Sequence, residues 1–319
     1  MKVLVTGGAG AIGGNITHAL VNDPEVNGVT VLDDLSSGYF ENLPAHSKLR
    51  FIRGSVGDDA ILNDLFYTHD FDGVIHLAAS FANQTSVENP RRDLEVNGLG
   101  MLKMLEHASK AKVKRFVYSS SSCVYGHRGG ILKEDNYEFF TETPYAATKL
   151  LGERYLHFFY SYHGLDAVTL RFFNTYGPGE KAGPQRNVIP NFISLALQKK
   201  PLPITGDGTE TRDFNYISDT VKGVVLALKK PGIGGKIFNI ASGRETTILK
   251  IAAEINRITR NPAGIQFQDR RKWDTVSQRL ASIREAQTHL GYHPDVSIEQ
   301  GLQKTTDWLM ARHLSEVTV

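Results

Sequence analysis

The fold is decided by the stretch Lys2-Val3-Leu4-Val5-Thr6-Gly7-Gly8-Ala9-Gly10-Ala11-Ile12-Gly13. A strand-like run stands directly before three glycines spaced three apart, Gly7, Gly10 and Gly13, and a helical stretch follows. Glycines allow the backbone to turn tightly and to approach a pyrophosphate, whose charge lies at the positive end of the following helix. The stretch therefore predicts a dinucleotide-binding turn, although a plain strand-to-helix turn would show the same glycines.

The next strand-like run agrees with that prediction. It ends in Val31-Leu32-Asp33-Asp34, and Asp33 lies twenty residues beyond Gly13. A carboxylate at this position can accept both hydroxyls of an adenosine ribose and would repel a 2′-phosphate. We therefore expect NAD rather than NADP, with a simple turn role for Asp33 as the alternative.

Strand-like runs alternate with longer amphipathic stretches through the first half of the chain. Strands separated by helices pair in parallel, because a parallel crossover needs a helix-length connection. The pattern predicts an α/β fold with a doubly wound parallel sheet of the Rossmann type. The predicted strands are Lys2–Thr6, Val29–Asp33, Leu49–Arg53, Gly73–Leu77, Phe116–Ser119 and Ala167–Phe172.

The sequence changes in character after Arg171, where loops rich in glycine and proline replace the regular strand-helix units. We expect residues 1–171 to form an NAD-binding domain and residues 172–319 to form a smaller domain. A further strand-like run over residues 236–240 would return to the main sheet. The two domains are therefore not expected to be separated at one point in the chain.

Composition excludes several classes of protein. The chain has 319 residues, and its 41% hydrophobic and 22% charged residues are typical of a globular protein. A formal charge of +2 is too small for a global field directed at nucleic acid or a membrane surface. The apolar run after Lys2 is too short for a signal peptide, and no later run is long enough to span a membrane.

Cysteine and histidine usage adds two expectations. The single cysteine, Cys123, cannot form an internal disulfide, which favours a cytoplasmic setting. The eleven histidines are scattered without the spacing of metal ligands, so no metal site is expected.

A pair of residues suited to proton transfer follows Thr143-Pro144, which is a good helix start. Tyr145 and Lys149 then stand one turn apart on the same face of the helix. An ammonium close to a phenol favours the phenolate, so we expect Lys149 to lower the pKa of Tyr145 towards the range of a general base. Packing plus a solvated charge is the alternative for such a pair.

Serines at the end of another predicted strand supply a possible partner. The run Arg115-Phe116-Val117-Tyr118 leads into Ser119-Ser120-Ser121-Ser122-Cys123-Val124-Tyr125-Gly126. Ligands of doubly wound sheets bind at the carboxyl ends of the strands. A serine hydroxyl there can hydrogen-bond a reacting oxygen, whereas a serine-rich loop without a chemical role is the alternative.

Taken together, these motifs resemble those of a known family. Over essentially the whole chain, the sequence is similar to extended short-chain dehydrogenase/reductases, specifically the NAD-dependent nucleotide-sugar epimerase/dehydratase group, which includes UDP-glucose 4-epimerases. Besides the segments quoted above, the resemblance rests on His76-Leu77-Ala78-Ala79, Arg171-Phe172-Phe173-Asn174-Thr175-Tyr176-Gly177-Pro178 and Gly206-Asp207-Gly208-Thr209-Glu210-Thr211-Arg212-Asp213-Phe214.

The resemblance implies a role for individual residues. Tyr145 would be the catalytic base, Lys149 its electrostatic partner and a ribose ligand, and Ser121 the hydroxyl that bonds the reacting sugar oxygen. The implied cofactor ligands are Gly7, Gly10, Ala11, Ile12, Gly13, Asp33, Asp34, Asp58, Leu77, Ala78, Ala79, Tyr145 and Lys149. The implied nucleotide-sugar ligands are Asn174, Asn187, Arg212 and Arg271, with Ser277 and Gln278 near the sugar.

Arginine suits a diphosphate because its planar fork matches phosphate oxygens. A plain surface charge is the alternative for Arg271, which lies in a highly charged segment.

Three departures from the family pattern bear on the reaction. Ser55 stands where an acidic residue often holds the adenine amine, and Asp58 follows three residues later. Ser122 and Cys123 occupy the positions of the Asp-Glu pair that dehydratases use to remove water, and related decarboxylases usually keep a glutamate at the position of Cys123. The third departure is the segment at residues 80–85, which matches no segment of known role in the family.

The sequence therefore predicts an NAD-dependent nucleotide-sugar epimerase, acting at C4 of a UDP-hexose through a transient 4-keto intermediate. A dehydratase, decarboxylase or reductase on the same scaffold is the first alternative, and a non-catalytic NAD-sensing regulator is the second. Apolar helix faces around residues 99–111 and 145–162, together with the family pattern, predict a homodimer. Neither nucleic acid nor a membrane is expected as a partner.

Overall fold

The computed structural model describes residues 1–81, 83–136, 140–184, 186–269 and 277–317, with side chains described as far as residue 312. The strands are β1 Lys2–Thr6, β2 Gly28–Asp33, β3 Leu49–Arg53, β4 Gly73–His76, β5 Arg115–Ser121, β6 Gly130–Leu132, β7 Ala167–Phe172, β8 Thr175–Tyr176, β9 Leu202–Thr205, β10 Thr211–Asp213, β11 Asn215–Tyr216, β12 Ile237–Ile240, β13 Glu245–Thr247, β14 Ile265–Gln268 and β15 Gln278–Ala281.

Helices connect most of these strands. The α-helices are α1 Ala11–Val21, α2 Asp59–Thr68, α3 Asn83–Glu88, α4 Pro90–Asp93, α5 Gly100–Lys110, α6 Pro144–His163, α7 Val188–Leu197, α8 Ile217–Lys229, α9 Ile248–Thr259 and α10 Ile298–Val317. Short 3-10 helices lie at Phe40–Asn42 and Ser122–Tyr125, and π-helices at Leu94–Leu99 and Ala286–Leu290. Within the described part of the chain, no helix is long and apolar enough to cross a membrane.

The large sheet has seven parallel strands in the order β12-β7-β5-β4-β1-β2-β3. The chain moves outward from β1 to β3 and then crosses back to β4, which pairs with the other edge of β1. This reversal leaves a crevice at the carboxyl ends of β1 and β4, where doubly wound sheets bind ligands. The predicted doubly wound α/β fold is confirmed.

Apolar side chains pack on both faces of this sheet because successive residues of a strand point to opposite sides. Val3 and Val5 of β1 lie in the core with α1 and α8, whereas Leu4 packs on the other face with α2, α5 and α6. Strands buried on both faces explain the nearly continuous apolar runs in the sequence.

A second core lies in the C-terminal half, where α7, α9 and α10 pack around β9. This half also contributes to the large sheet. Residues Ile237–Ile240 pair with β7, and Ala286, Leu290 and Tyr292 are buried in the core on the α1 side. Residues after 172 therefore belong partly to the sheet and partly to the second core.

Loop contacts place the second core against the start of α1. Asn15 donates to the carbonyl oxygen of Pro178 at 2.8 Å, and Asn42 donates to that of Gly179 at 3.1 Å. A Cβ atom on Gly179 would come within 3.1 Å of the Ala11 carbonyl oxygen. The C-terminal half thus closes over the edge of the sheet where β1 meets α1.

Candidate active site

The turn between β1 and α1 is built from close backbone contacts that only glycine allows. Gly7 has φ of 70°, and a Cβ atom there would lie 2.7 Å from the amide nitrogen of Ala78. A Cβ atom on Gly13 would lie 2.1 Å from the carbonyl oxygen of Gly7. At the start of α1, Gly10 provides no side-chain cap for the helix amides. These amides are therefore available to an anion, as a pyrophosphate site requires.

Asp33 at the end of β2 faces the same turn. Its Oδ2 accepts from the amide of Ala9 at 2.9 Å and its Oδ1 from that of Leu35 at 2.8 Å. Each carboxylate oxygen keeps a lone pair for a further donor, so Asp33 can still accept ribose hydroxyls. Burial raises the pKa of Asp33. The neighbouring Asp34 instead forms an ion pair with Arg92 at 3.4 Å.

The segment after β4 lies on the other side of the turn. The amide of Leu77 donates to the Thr6 carbonyl at 3.1 Å, and the amide of Ala78 donates to the Thr6 hydroxyl at 3.3 Å. A hydrogen bond of 2.8 Å joins that hydroxyl to Nδ1 of His76. The structure therefore brings the glycine turn, Asp33 and residues 77–79 together, and this set fits NAD.

Asp58, also predicted as a cofactor ligand, has a clear structural contact. Its Oδ1 accepts from the amides of Ala60 at 2.9 Å and Ile61 at 3.2 Å, which caps α2. Its side chain is exposed. Capping of α2 is therefore a sufficient reason for an aspartate at position 58, without any contact to a cofactor.

Helix α6 carries the predicted proton-transfer pair. The Thr143 hydroxyl accepts from the amide of Ala146 at 3.3 Å, which fixes the start of the helix. Tyr145 and Lys149 are both buried, and the Lys149 Nζ lies 5.7 Å from the centre of the Tyr145 ring. That ammonium also donates to the Ser119 carbonyl at the end of β5, at 2.8 Å. Lys149 thus connects α6 with the edge of the sheet.

Electrostatics at this pair differ from the sequence-based expectation. Burial raises the pKa of Tyr145 well above its usual value, and a hydrogen bond with the Ser121 hydroxyl lowers it only in part. Burial also lowers the pKa of Lys149 to about 8, against the opposing effects of Asp93, Cys123 and Glu153. The prediction that Lys149 brings the Tyr145 pKa towards neutrality is wrong, because burial of the phenol is the larger effect.

Ser121 completes the cluster. It is the last residue of β5, its hydroxyl accepts from the amide of Cys123 at 3.2 Å, and the same hydroxyl lowers the pKa of the Tyr145 phenol in part. The following residues, Ser122 and Cys123, form the start of a 3-10 helix, and the Cys123 thiol is half-buried. The residues that follow Ser121 therefore place no carboxylate beside Tyr145.

Several contacts to this cluster come from residues 83–86, which overlap the end of the segment at residues 80–85 whose role the sequence left open. Asn83 accepts from the Thr143 hydroxyl at 2.9 Å and donates to the Cys123 sulfur at 3.5 Å. The Ser86 hydroxyl accepts from the amide of Tyr145 at 3.1 Å. Residues 83–86 therefore hold the N-terminus of α6 in place. No local pattern predicts this role, because each contact spans more than thirty-five residues.

The predicted nucleotide-sugar ligands lie in the C-terminal half. The side-chain amide of Asn174 donates to the carbonyl of Asp213 at 3.1 Å, next to Arg212. Asn187, at the start of α7, donates to both carboxylate oxygens of Glu180, at 3.0 and 3.1 Å. Glu180 is buried, and sequence reasoning did not identify it.

The remaining predictions concern the segment before and within β15. The Ser277 carbonyl accepts from the amide of Thr211 at 2.9 Å, and Gln278 donates to Glu245 at 2.7 Å. Arg271 lies outside the described residues. Among the residues that the structure describes, no group of three or more His, Cys, Asp or Glu side chains could hold a metal ion.

Comparisons with known proteins agree with the fold and identify the family. A model of the NAD dependent epimerase/dehydratase family matches residues 3–241. An epimerase from the thermophilic methanogen Methanothermobacter thermautotrophicus has a similar structure, with a TM-score of 0.95 and 44% sequence identity, covering 99% of this chain and 94% of that one.

Two curated relatives differ in their reactions. The UDP-glucose 4-epimerase of Mycolicibacterium smegmatis is 33% identical over 312 residues, which cover 97% of this chain and 98% of that protein. The UDP-N-acetyl-alpha-D-glucosaminuronate decarboxylase of Bacillus cytotoxicus is 33% identical over 320 residues, which cover 96% and 97%. Similarity of this degree shows the family, and the choice among its reactions depends on the site.

Proposed function

The chain belongs to the NAD-dependent epimerase/dehydratase family, and we propose that it inverts C4 of a UDP-hexose or a close derivative through a transient 4-keto intermediate. The observation that carries this proposal is the cluster of the buried Tyr145 and Lys149 with the half-buried Ser121, at the carboxyl edge of the sheet beside the glycine turn. Nothing in an epimerisation requires a further acid or base.

The cluster contains the groups that proton transfer at C4 needs. When bound, NAD supplies an acceptor for the C4 hydride and returns it, so the cycle brings no net oxidation. Tyr145, as its phenolate, takes the C4 hydroxyl proton and later gives it back to the same oxygen. Because burial raises the pKa of Tyr145, the phenolate needs positive charge nearby, and Lys149 supplies an ammonium. The Ser121 hydroxyl donates to the reacting oxygen.

The first alternative is a dehydratase, decarboxylase or reductase on the same scaffold. Removal of water uses a carboxylic acid and a carboxylate beside the sugar in the family's dehydratases, and neither Ser122 nor Cys123 carries a carboxyl group at the two positions after Ser121. The half-buried Cys123 therefore favours epimerisation over elimination. A non-catalytic NAD sensor, the second alternative, would have no use for a buried tyrosine and lysine joined to the end of β5.

Substrate and partner assignments follow from the same proposal. Residues 1–171 and the returning strand β12 would bind NAD, and the rest of residues 172–319 would bind the nucleotide sugar through Asn174, Asn187, Arg212 and Arg271. A homodimer is supported by large apolar side chains that are exposed on the π-helix before α5 and on α6, namely Leu94, Leu99, Phe158 and Tyr162. The free Cys123 supports a cytoplasmic setting.

The test of the reaction is product analysis. Purified protein is incubated with a panel of UDP-hexoses and UDP-hexuronates, and interconversion is followed by NMR together with the absorbance of free NADH. We expect products equal in mass to the substrates and no net NADH. Loss of water or carbon dioxide from the sugar would reject epimerisation in favour of the first alternative.

The test of the site is a pair of tyrosine variants. Tyr145→Phe removes only the phenolic hydroxyl and should lower turnover by about 10²-fold or more while NAD binding persists. Tyr67→Phe makes the same change at an exposed position on α2 and should leave turnover unchanged. Full turnover in Tyr145→Phe would remove Tyr145 from the mechanism.

A further inference from the structure

A buried carboxylate lies behind the Tyr145–Lys149 pair, outside the residues that the proposed reaction uses. Asp93 is the last residue of α4 and has no exposed surface. Its Oδ2 accepts from the Thr148 hydroxyl at 2.7 Å, and its Oδ1 accepts from the Asn97 amide at 2.7 Å. Both donors are uncharged, so these contacts orient the carboxylate without neutralising it.

The partners of Asp93 join two parts of the site. Thr148 directly precedes Lys149 on α6. Asn97, on the π-helix after α4, accepts from the amide of Ser80 at 2.8 Å and donates to its carbonyl at 3.3 Å. Ser80 follows the segment Leu77–Ala79 beside the glycine turn. Asp93 therefore connects the Lys149 turn of α6 with the loop after β4.

Lys149 needs a negative charge in this interior. Burial lowers the pKa of Lys149 to about 8, and nearby acidic groups oppose that shift, Asp93 most strongly. The ionisable groups that face Lys149 come from five elements and are His76 on β4, Asp93 on α4, Tyr118 on β5, Cys123 on the 3-10 helix, and Tyr145 and Glu153 on α6.

Among these groups, Glu153 is already neutralised. The guanidinium of Arg171 donates to its two oxygens at 2.9 and 2.8 Å, and both side chains are buried. The remaining acidic groups of this set are one thiol, the phenols of Tyr118 and Tyr145, whose pKa values burial raises, and one carboxylate, that of Asp93. Asp93 is thus the carboxylate that can balance the buried ammonium.

We propose that Asp93 is a positioning residue for proton transfer at Tyr145: its carboxylate fixes the Lys149 turn of α6 against the loop after β4, and its negative charge balances the buried Lys149 ammonium. The role in proton transfer rests on the proposed epimerase function. The charge balance itself does not depend on which reaction the protein catalyses.

The first test is the pH profile of turnover. Asp93→Asn keeps the shape of the side chain and removes its charge, so Lys149 should lose its proton at lower pH. We expect the midpoint on the basic side, near pH 8 in the unaltered protein, to fall by about one pH unit. Thr148→Val removes the hydrogen bond and keeps the carboxylate, and should lower thermal stability without moving this midpoint. An unmoved midpoint in Asp93→Asn would overturn the proposal.

The second test needs no turnover. Urea unfolding at neutral pH is measured for Asp93→Asn, for Lys149→Met and for the double variant. Asp93→Asn should destabilise the protein when Lys149 is present and should be neutral or stabilising in the Lys149→Met background, where the carboxylate is unbalanced. Equal losses in both backgrounds would overturn the proposal.

The same experiment also gives a result if the Asp93→Asn variant fails to fold. If Asp93→Asn alone does not fold, charge balance requires that the double variant with Lys149→Met does fold, and an unfolded double variant would contradict it. If no UDP-hexose is epimerised while the two residues remain coupled in unfolding, the proposed function fails and the charge balance stands. The two failures are therefore distinguishable.

Discussion

Acidification should destabilise this protein through one buried histidine. His76 ends β4 below the glycine turn, and its ring packs near Phe116 and Tyr118 while Nδ1 is joined to the Thr6 hydroxyl. Burial, aided by the nearby Lys149 charge, lowers the pKa of His76 from 6.5 to about 3. The folded protein therefore holds this imidazole neutral through the mildly acidic range.

The size of the effect follows from linkage. The unfolded chain takes up a proton at His76 below about pH 6.5, whereas the folded protein does so only near pH 3. Within that interval each pH unit of acidification costs about 1.4 kcal/mol of stability. Between neutral pH and about pH 5, His76 should therefore remove about 2 kcal/mol from the free energy of unfolding.

The assay is urea unfolding followed by circular dichroism at about pH 7 and about pH 5. His76→Gln cannot titrate, and its amide can still bond to the Thr6 hydroxyl, so its stability should fall by about 2 kcal/mol less than that of the unaltered protein. His18→Gln, at an exposed position on α1, should follow the unaltered protein. Parallel losses for His76→Gln and the unaltered protein would refute the reasoning.

Two further predictions concern the buried ion pair and the exposed apolar face. Glu153→Gln leaves the Arg171 guanidinium unbalanced in the interior and should cost about 3–5 kcal/mol in urea unfolding, whereas Asp59→Asn, which breaks an exposed pair, should cost little. Light scattering should give a dimer at micromolar concentration. Phe158→Glu should shift it towards monomer and Tyr67→Glu should not, and a monomeric unaltered protein would contradict the dimer.

The parts of the fold that the sequence predicts are those set by local patterns. The run before Gly7 and the run ending in Asp33 form strands with nearly the predicted bounds. Parallel strands place their carboxyl ends at one edge, so a glycine turn, an aspartate and a serine loop that each follow a strand must lie near one another. That rule locates the serine run at the end of β5 without any knowledge of side-chain contacts, and the family resemblance selects Ser121 within it.

The supporting residues do not follow from local patterns. Asn83 and Ser86 contact the start of α6 from a short helix with no strong periodicity, and Asp93 reaches Thr148 across fifty-five residues. Each contact depends on how two helices pack, which spacing along the chain does not encode. The pKa of Tyr145 was predicted in the wrong direction for the same reason, since a phenol's burial depends on the whole fold.

Along one face of α6, three equally spaced residues have different roles because their surroundings differ. Tyr145, Lys149 and Glu153 follow one another at four-residue intervals, and all three side chains are buried against the sheet. Glu153 meets Arg171 on β7, a fixed cation, so its charge is neutralised and it ties helix to strand. Tyr145 and Lys149 instead meet neutral serine oxygens at the end of β5. Burial therefore raises the pKa of Tyr145 and lowers that of Lys149 to about 8, and titratable groups shifted in this way are typical of functional sites.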